Sequence, residues 1–377
     1  MRNFKEGILA FTLALATLLT YYGFRHRLKA QERNPHVEEP TASHGESADP
    51  RLSLNWGIEE VHARAAWMRH RGSKDVIVAV IDTGCDVHHP DLSASIWRNP
   101  GEDGLDKNGV PKSENGIDDD GNGFVDDLHG WDFVSSTADV ADGHGHGTHI
   151  AGIVGGTSGV APGVSLMILK YYDTESSGLE NLRNTIAAVK YAVKMGADVI
   201  NYSGGGVMRS REEEDVLRWA ASQGVLIVAA AGNEGMNSDF YHFYPADYGL
   251  PNILSVGAID RDGQLLKMSN YGVGTVDVMA PGRNIYSTLP NGQHGYMTGT
   301  SQATAFASGL AALLIANDPR MRNPALLIEH IVNHVSERTK LKYVSRSGGV
   351  INAQDALEAS DIEVAAVGRR RAPAQAN

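Results

Sequence analysis

The sequence contains a single cysteine, Cys85, so this chain cannot form an intramolecular disulfide bond. This excludes the small secreted scaffolds that several disulfides hold together. We expect Cys85 to be a small apolar residue, buried at the end of a strand. The alternative is a thiol whose modification blocks a nearby functional site.

Positive charge is scarce, and the formal net charge is −12 at pH 7. Twelve acidic residues and only two lysines lie between Gly101 and Asp142, so this stretch alone carries −10. The rest of the chain is nearly neutral and offers little attraction to a polyanion, so we expect no nucleic-acid partner. The local concentration of carboxylates indicates a bound cation instead.

One uncharged, mostly apolar run of 18 residues stands near the start, at residues 7–24. This length just spans a bilayer and is long for the core of a signal peptide. Residues 1–30 are therefore expected to be an uncleaved signal anchor, the alternative being a cleaved signal sequence. Residues 31–50 are predicted to be a polar linker, residues 51–360 the folded domain and residues 361–377 a disordered tail.

Short β-branched runs alternate with helical patterns in the folded part. Such alternation predicts an α/β fold with three layers, in which a mostly parallel sheet carries helices on both faces. The predicted strands are 75–81, 164–171, 198–202, 225–230 and 252–258, and the predicted helices are 146–155, 179–195, 212–223 and 301–316. Functional groups in such sheets gather at the carboxyl ends of the strands.

Three glycine-rich blocks carry an acid, a base and a hydroxyl in that order: Asp82 in VIDTG, His146 in GHGTH and Ser301 in GTSQA. A serine hydroxyl becomes a nucleophile when a histidine accepts its proton and a carboxylate orients that histidine. Each residue has a simpler alternative taken alone. Asp82 could cap a turn, Ser301 could cap a helix, and His146 could bind a metal with the neighbouring histidines.

These blocks resemble those of the subtilase family of serine endopeptidases. A fourth block, Ala229–Gly235 (AAAGNEG), resembles the oxyanion segment of that family, and weaker matches extend the resemblance over about residues 51–358. The resemblance implies a subtilisin-like fold, with Ser301 as nucleophile, His146 as base and Asp82 as its orienting acid. It also implies that the Asn233 amide and the Ser301 backbone N–H donate to the oxyanion.

The resemblance further implies that Ser203, Gly204 and Gly205 pair with the extended backbone of the substrate. Gly204 stands where family members often have a larger residue. We therefore expect a roomy specificity pocket that accepts a bulky apolar side chain before the scissile bond.

The acidic loop DDDGNGFVDD is the second strong motif. Oxygen ligands at alternate positions followed by glycine suit Ca²⁺, so the candidate ligands are Asp118, Asp120, Asn122 and Asp126. The twelfth position of the motif is His129 rather than glutamate, so this is not a complete EF-hand. The alternative is a solvated acidic loop without a metal.

Together these features predict a monomeric serine endopeptidase that acts on protein or peptide substrates. The apolar run at residues 7–24 predicts that it is extracytoplasmic, either secreted or tethered to a membrane. No separately folded propeptide is expected, since only 31 residues, most of them polar, separate that run from Trp56. The rival hypothesis is a catalytically silent peptide- or cation-binding protein with the same fold.

Overall fold

The computed structural model describes residues 53–361. The apolar run at 7–24, the linker at 31–50 and the tail beyond 361 lie outside these residues. Within residues 53–361, no helix is both long enough and apolar enough to cross a bilayer.

A nine-stranded sheet forms the centre of the described domain, with the strand order β10-β11-β7-β6-β5-β4-β1-β3-β2. Neighbouring strands run parallel except for the pair β10–β11 at one edge, and β8 and β9 form a separate antiparallel hairpin. The strands are β1 (Ile77–Asp82), β2 (Gly130–Asp132), β3 (Ser165–Lys170), β4 (Val199–Tyr202), β5 (Leu226–Ala230), β6 (Ile253–Ile259), β7 (Val278–Pro281), β8 (Ile285–Leu289), β9 (Gln293–Met297), β10 (Val335–Glu337) and β11 (Gly349–Ile351).

Helices cover both faces of this sheet, which gives the three-layer α/β architecture expected from the sequence. They are α1 (Trp56–Glu60), α2 (Ala63–Trp67), α3 (His146–Gly155), α4 (Gly178–Lys194), α5 (Arg211–Ser222), α6 (Thr300–Asn317) and α7 (Pro324–Asn333), followed by a helix at 353–361. Four short 3₁₀ turns lie in the connections between elements.

The side chains of β1 point alternately into two hydrophobic clusters, one on each face of the sheet. Val78 and Val80 pack with α3 and α6 on one face, whereas Ala79 and Ile81 pack with α4 and α5 on the other. Successive side chains of a strand point to opposite faces, so a continuous apolar run is what a strand covered on both sides requires.

Helix α4 begins where its sequence predicts a beginning. The Ser177 hydroxyl accepts the N–H of Glu180, and the Glu180 carboxylate accepts the N–H of Ser177. This capping box satisfies backbone donors that the first turn would otherwise leave unpaired.

The predicted elements lie within two residues of those observed. The predicted helices end with the one at 301–316; this was wrong, because α7 and the helix at 353–361 follow it. Both are short and follow polar or proline-containing connections, so their apolar faces form only a brief periodic signal.

The carboxyl ends of β1, β4 and β5 meet at one edge. Ile81 of β1 pairs with Tyr202 of β4, which pairs with Ala229 of β5. Adjacent strands are about 4.8 Å apart, so the residues that follow these three strands leave the sheet side by side.

Candidate active site

Asp82 is the last residue of β1, and His146 is the first residue of α3. The His146 Nδ1–H donates to Asp82 Oδ1 over 2.7 Å. The Asp82 side chain is almost fully buried, and about a quarter of the His146 side chain is exposed. This geometry fixes the ring orientation and the tautomer of the imidazole, and leaves Nε2 as its unprotonated nitrogen.

Gly147 allows α3 to approach β1 this closely. A Cβ on Gly147 would lie 3.1 Å from the Asp82 Cβ and would overlap the Gly84 carbonyl oxygen. The Gly147 N–H donates to the Thr83 hydroxyl over 2.9 Å, so the same glycine also ties the helix to the residue after Asp82.

The electrostatic environment favours protonation of His146. Burial of the ring opposes protonation, but the Asp82 carboxylate outweighs that cost, and Asp142 adds a smaller attraction. The pKa of His146 is therefore raised from its ordinary value of 6.5.

Asp142 organises the loop before α3. Its Oδ1 accepts the Thr83 hydroxyl at 2.9 Å and the N–H groups of His144 and Gly145 at 2.9 and 2.7 Å. Its Oδ2 accepts the N–H and the hydroxyl of Thr148 at 2.9 and 2.7 Å. This nearly buried carboxylate thus joins the end of β1 to the first turn of α3.

Ser301 is the second residue of α6, where backbone N–H groups have no partner within the helix. Its hydroxyl donates to the carbonyl oxygen of Ser203 over 3.0 Å. Ser203 directly follows β4, the neighbour of β1, so Ser301 lies about one strand spacing from the Asp82–His146 pair. The Ser301 hydroxyl is thus bonded to Ser203 rather than to His146 in this structure.

Asn233 follows β5 and faces the first turn of α6. Its Oδ1 accepts the Thr300 N–H at 2.9 Å and the Thr300 hydroxyl at 3.1 Å. Because Oδ1 is engaged, Nδ2 is the atom left to face the exposed cleft beside Ser301. The structure therefore brings all four predicted residues to one edge of the sheet.

His149 lies one turn along α3 from His146, but it is fully buried. Its Nε2 bonds to the Ile285 carbonyl oxygen at 3.0 Å. Burial, and to a smaller extent the proximity of His146, lower the pKa of His149 to about 3. His149 is thus a neutral packing residue rather than a member of a metal site with His146.

The segment Ser203–Gly205 leaves β4 beside Ser301, where the sequence predicts a roomy pocket. A Cβ on Gly204 would overlap the Tyr171 hydroxyl, so the space without a side chain there is already filled. On the other side of the segment, Phe243 occupies the space next to Gly205.

The acidic loop holds its residues differently from the expected ligand pattern. Asp118 accepts the N–H groups of Asn122 and Gly123, at 3.1 and 2.8 Å, and Asp126 accepts the N–H of Gly116 at 3.1 Å. The Asn122 amide points its nitrogen, not its oxygen, at Asp120. Of the four predicted ligands, Asp120 alone belongs to the carboxylate cluster that the structure forms.

That cluster consists of Glu102, Asp120 and Asp127, which each place one carboxylate oxygen within 4.8 Å of the others. Asn99 donates its amide to Asp120 at 3.0 Å and to Asp127 at 2.7 Å, and the Asn122 amide also donates to both. These neutral donors compensate only part of three negative charges.

Within this cluster, Glu102 has a buried oxygen without a hydrogen-bond partner. It is fully buried, its Oε1 accepts the Asp119 N–H at 2.7 Å, and its Oε2 has no hydrogen-bond partner. Burial, and then the nearby aspartates, raise the pKa of this carboxyl. An unpaired buried carboxylate oxygen is costly, and a hard cation would satisfy it, so the donor set fits Ca²⁺.

The sequence analysis did not identify four candidate functional residues: Thr300, Asp142, Phe243 and Glu102. Thr300 lies inside the GTSQA block and Asp142 lies shortly before the GHGTH block, so their closeness to Ser301 and His146 in the chain was an available signal. Phe243 and Glu102 reach their sites through tertiary folding and carry no local motif.

Comparison with known proteins identifies the chain. Residues 73–351 match the sequence profile of the Subtilase family. The thermophilic serine proteinase of Bacillus sp. (strain AK1) is 32% identical over 344 residues, which cover 88% of this chain and 75% of that protein. The major intracellular serine protease of Bacillus subtilis (strain 168) is 36% identical over 266 residues, with coverages of 68% and 74%. Subtilisin Savinase of Lederbergia lenta is 33% identical over 312 residues, with coverages of 81% and 98%. The chain therefore belongs to the subtilase family and is a subtilisin-like serine endopeptidase.

Proposed function

We propose that this protease hydrolyses peptide bonds through Ser301, His146 and Asp82. The Ser301 hydroxyl rotates from the Ser203 carbonyl to His146, which accepts its proton as the oxygen attacks the substrate carbonyl. The protonated imidazole then donates that proton to the leaving amine, and Asp82 stabilises the imidazolium throughout. Water hydrolyses the acyl-enzyme by the same path in reverse.

Two donors stabilise the oxyanion in this mechanism. One is Nδ2 of Asn233, which Thr300 orients through Oδ1. The other is the backbone N–H of Ser301, in the first turn of α6, where the helix dipole also favours negative charge. The substrate backbone lies along Ser203, Gly204 and Gly205 as an added strand.

The observation that carries this proposal is the 2.7 Å bond between His146 and Asp82 at the carboxyl end of β1. It presents an oriented base beside a serine held at the end of the neighbouring strand. A catalytically silent peptide- or cation-binding protein has no need of that arrangement. All of these residues come from one chain, in the domain at 51–360, so we propose that it acts as a monomer.

Labelling with a fluorophosphonate tests the mechanism, because this probe reacts with an activated serine. We expect the wild type to be labelled on Ser301 and the Ser301→Ala variant to remain unlabelled and inactive. Ser222→Ala, which removes an exposed hydroxyl from the end of α5, serves as the control and keeps full labelling. A wild type that is not labelled would support the silent binding protein instead.

We also propose that Ca²⁺ binds the cluster of Glu102, Asp120 and Asp127. Its charge would neutralise these carboxylates and stabilise the long acidic insertion, a structural role away from the reaction.

We propose that the protein acts outside the cytoplasm, on the basis of the apolar run at residues 7–24. Family membership does not decide this point, since one relative is named as an intracellular protease. The N-terminal residue of the exported protein distinguishes the two forms, because a membrane-tethered chain keeps residues 7–24 and a secreted one starts after them.

A further inference from the structure

The side chain that precedes the scissile bond has a defined place in this site. The carbonyl carbon must lie at Ser301, and its oxygen must point to Asn233. The side chain on that residue therefore enters the cleft between the two segments that flank Ser301. These are residues 203–206, after β4, and residues 231–233, after β5, and the two strands are neighbours in parallel register.

The ring of Phe243 already occupies this cleft. A Cβ on Gly205 would lie 2.5 Å from Phe243 Cε1 and 3.1 Å from Cζ. A Cβ on Gly232, on the opposite wall, would lie 2.9 Å from Phe243 Cγ. The ring thus touches both walls, and glycine is required on each side to make room for it.

Backbone pairing holds the ring in place. Gly206 and Tyr244 exchange two backbone hydrogen bonds of 2.8 Å, so the segment that carries Phe243 is tied to one wall of the cleft. The Phe243 N–H also donates to the Asp247 carboxylate at 2.9 Å, and the Asp247 N–H donates to the Phe243 carbonyl at 3.0 Å. Phe243 is only 9% exposed. Withdrawing the ring would require these bonds to break.

We infer that Phe243 fills the pocket for the residue before the scissile bond and restricts cleavage to small residues there, such as glycine, alanine and serine. This inference rests on the proposed function, since it uses Ser301 and Asn233 to place the substrate. A phenylalanine or leucine at that position would have to occupy the volume that the Phe243 ring already fills. The substrate class is thus opposite to the bulky apolar preference expected from Gly204.

The test compares two chromogenic tetrapeptide anilides that differ only in the last residue, alanine or phenylalanine. We expect the wild type to give a kcat/KM at least about tenfold higher for the alanine substrate, as steric exclusion from a hydrophobic pocket allows. Phe243→Gly should raise the ratio of the phenylalanine kcat/KM to the alanine kcat/KM by at least about tenfold. Phe240→Ala removes a ring of the same kind that is 76% exposed, and it should leave the ratio unchanged.

Fluorophosphonate labelling of each variant reports whether its site is folded. If Phe243→Gly is not labelled, Phe243→Leu replaces it and should shift the ratio in the same direction by a smaller factor. A wild type that cleaves both substrates equally would overturn the inference while leaving the proposed mechanism intact. An unchanged ratio in a labelled Phe243 variant would do the same. A wild type that is not labelled at all would refute the proposed function and this inference with it.

Discussion

Asn233 accepts two hydrogen bonds from Thr300, one from its N–H at 2.9 Å and one from its hydroxyl at 3.1 Å. Both hydrogen bonds are accepted by Oδ1, so they determine the orientation of the Asn233 amide group. Thr300, the residue before the nucleophile, therefore orients the Asn233 side chain, which we assign as a hydrogen-bond donor to the oxyanion. A donor that is oriented before the reaction stabilises the transition state without reorganising.

This relationship predicts a graded effect on kcat. Asn233→Ala should lower kcat by about 10²–10³, with little change in KM, because the donor acts on the transition state. Thr300→Val keeps the backbone bond and loses the hydroxyl, so kcat should fall by about two- to tenfold, the value of one neutral hydrogen bond. Thr300→Ser retains the hydroxyl and serves as the control.

The double variant Thr300→Val/Asn233→Ala separates positioning from a general structural effect. If Thr300 acts through Asn233, the double variant should be no slower than Asn233→Ala alone. Additive losses in the steady-state kinetics would show that Thr300 acts independently of the amide.

The raised pKa of His146 predicts the acidic limb of the pH–rate profile. His146 must be neutral to accept the Ser301 proton, and a raised pKa keeps it protonated up to a higher pH. Activity should therefore be lost as the pH falls, with a midpoint in kcat/KM above 6.5. His149, whose pKa is about 3, stays neutral throughout this range, so the acidic limb should fit the titration of one group, His146.

Asp82→Asn tests the cause of that shift. Without the Asp82 carboxylate, only the smaller attraction of Asp142 opposes the effect of burial, so the midpoint should move to lower pH. The value of kcat should fall by about 10⁴ as the favoured tautomer is lost. A midpoint that does not move in this variant would contradict the assignment of the shift to Asp82.

The unpaired oxygen of Glu102 predicts cation binding that can be measured without activity. Tb³⁺ replaces Ca²⁺ at oxygen sites and luminesces when a nearby aromatic ring is excited, and the Tyr191 hydroxyl donates to the Asp127 carboxylate within the cluster. We expect sensitised luminescence that Ca²⁺ displaces. Ca²⁺ at a hundred times its Kd should stabilise the fold by about 2.7 kcal/mol, read as a rise in Tm.

Glu102→Gln keeps the shape of the side chain and removes its charge, so it should abolish most of the luminescence and of the Ca²⁺-dependent rise in Tm. Glu114→Gln, at an exposed position of the same acidic stretch, is the matched control and should behave as the wild type. Equal luminescence from both variants would place the cation elsewhere, and none from the wild type would exclude the site.

The sequence predicted most of what surrounds Ser301 because the decisive residues lie at the ends of regular elements. Asp82 ends a β-branched run, His146 and Ser301 begin helices, and the parallel sheet brings such ends together. Strand alternation and helix periodicity are local signals, so the five strands and four helices that they predicted lie within two residues of those observed, whereas the shorter elements were not predicted.

The substrate pocket and the cation cluster could not be predicted in the same way. Phe243 reaches the cleft through the pairing of Gly206 with Tyr244, two residues that are far apart in the chain. Glu102 joins Asp120 and Asp127 although it lies outside the loop motif. Gly204 suggested empty space after β4, but the volume of a pocket depends on packing by rings from distant parts of the chain.

The hydrogen bonds of Asp142 have a consequence for how this site can change during evolution. The Asp142 carboxylate accepts hydrogen bonds from Thr83, which follows Asp82, and from Thr148, in the helix that begins with His146. Substitutions at these three positions are therefore not independent. A change at Asp142 removes the acceptor of both threonine hydroxyls, and a change at either threonine removes a donor to Asp142, so we expect substitutions at this junction to occur together.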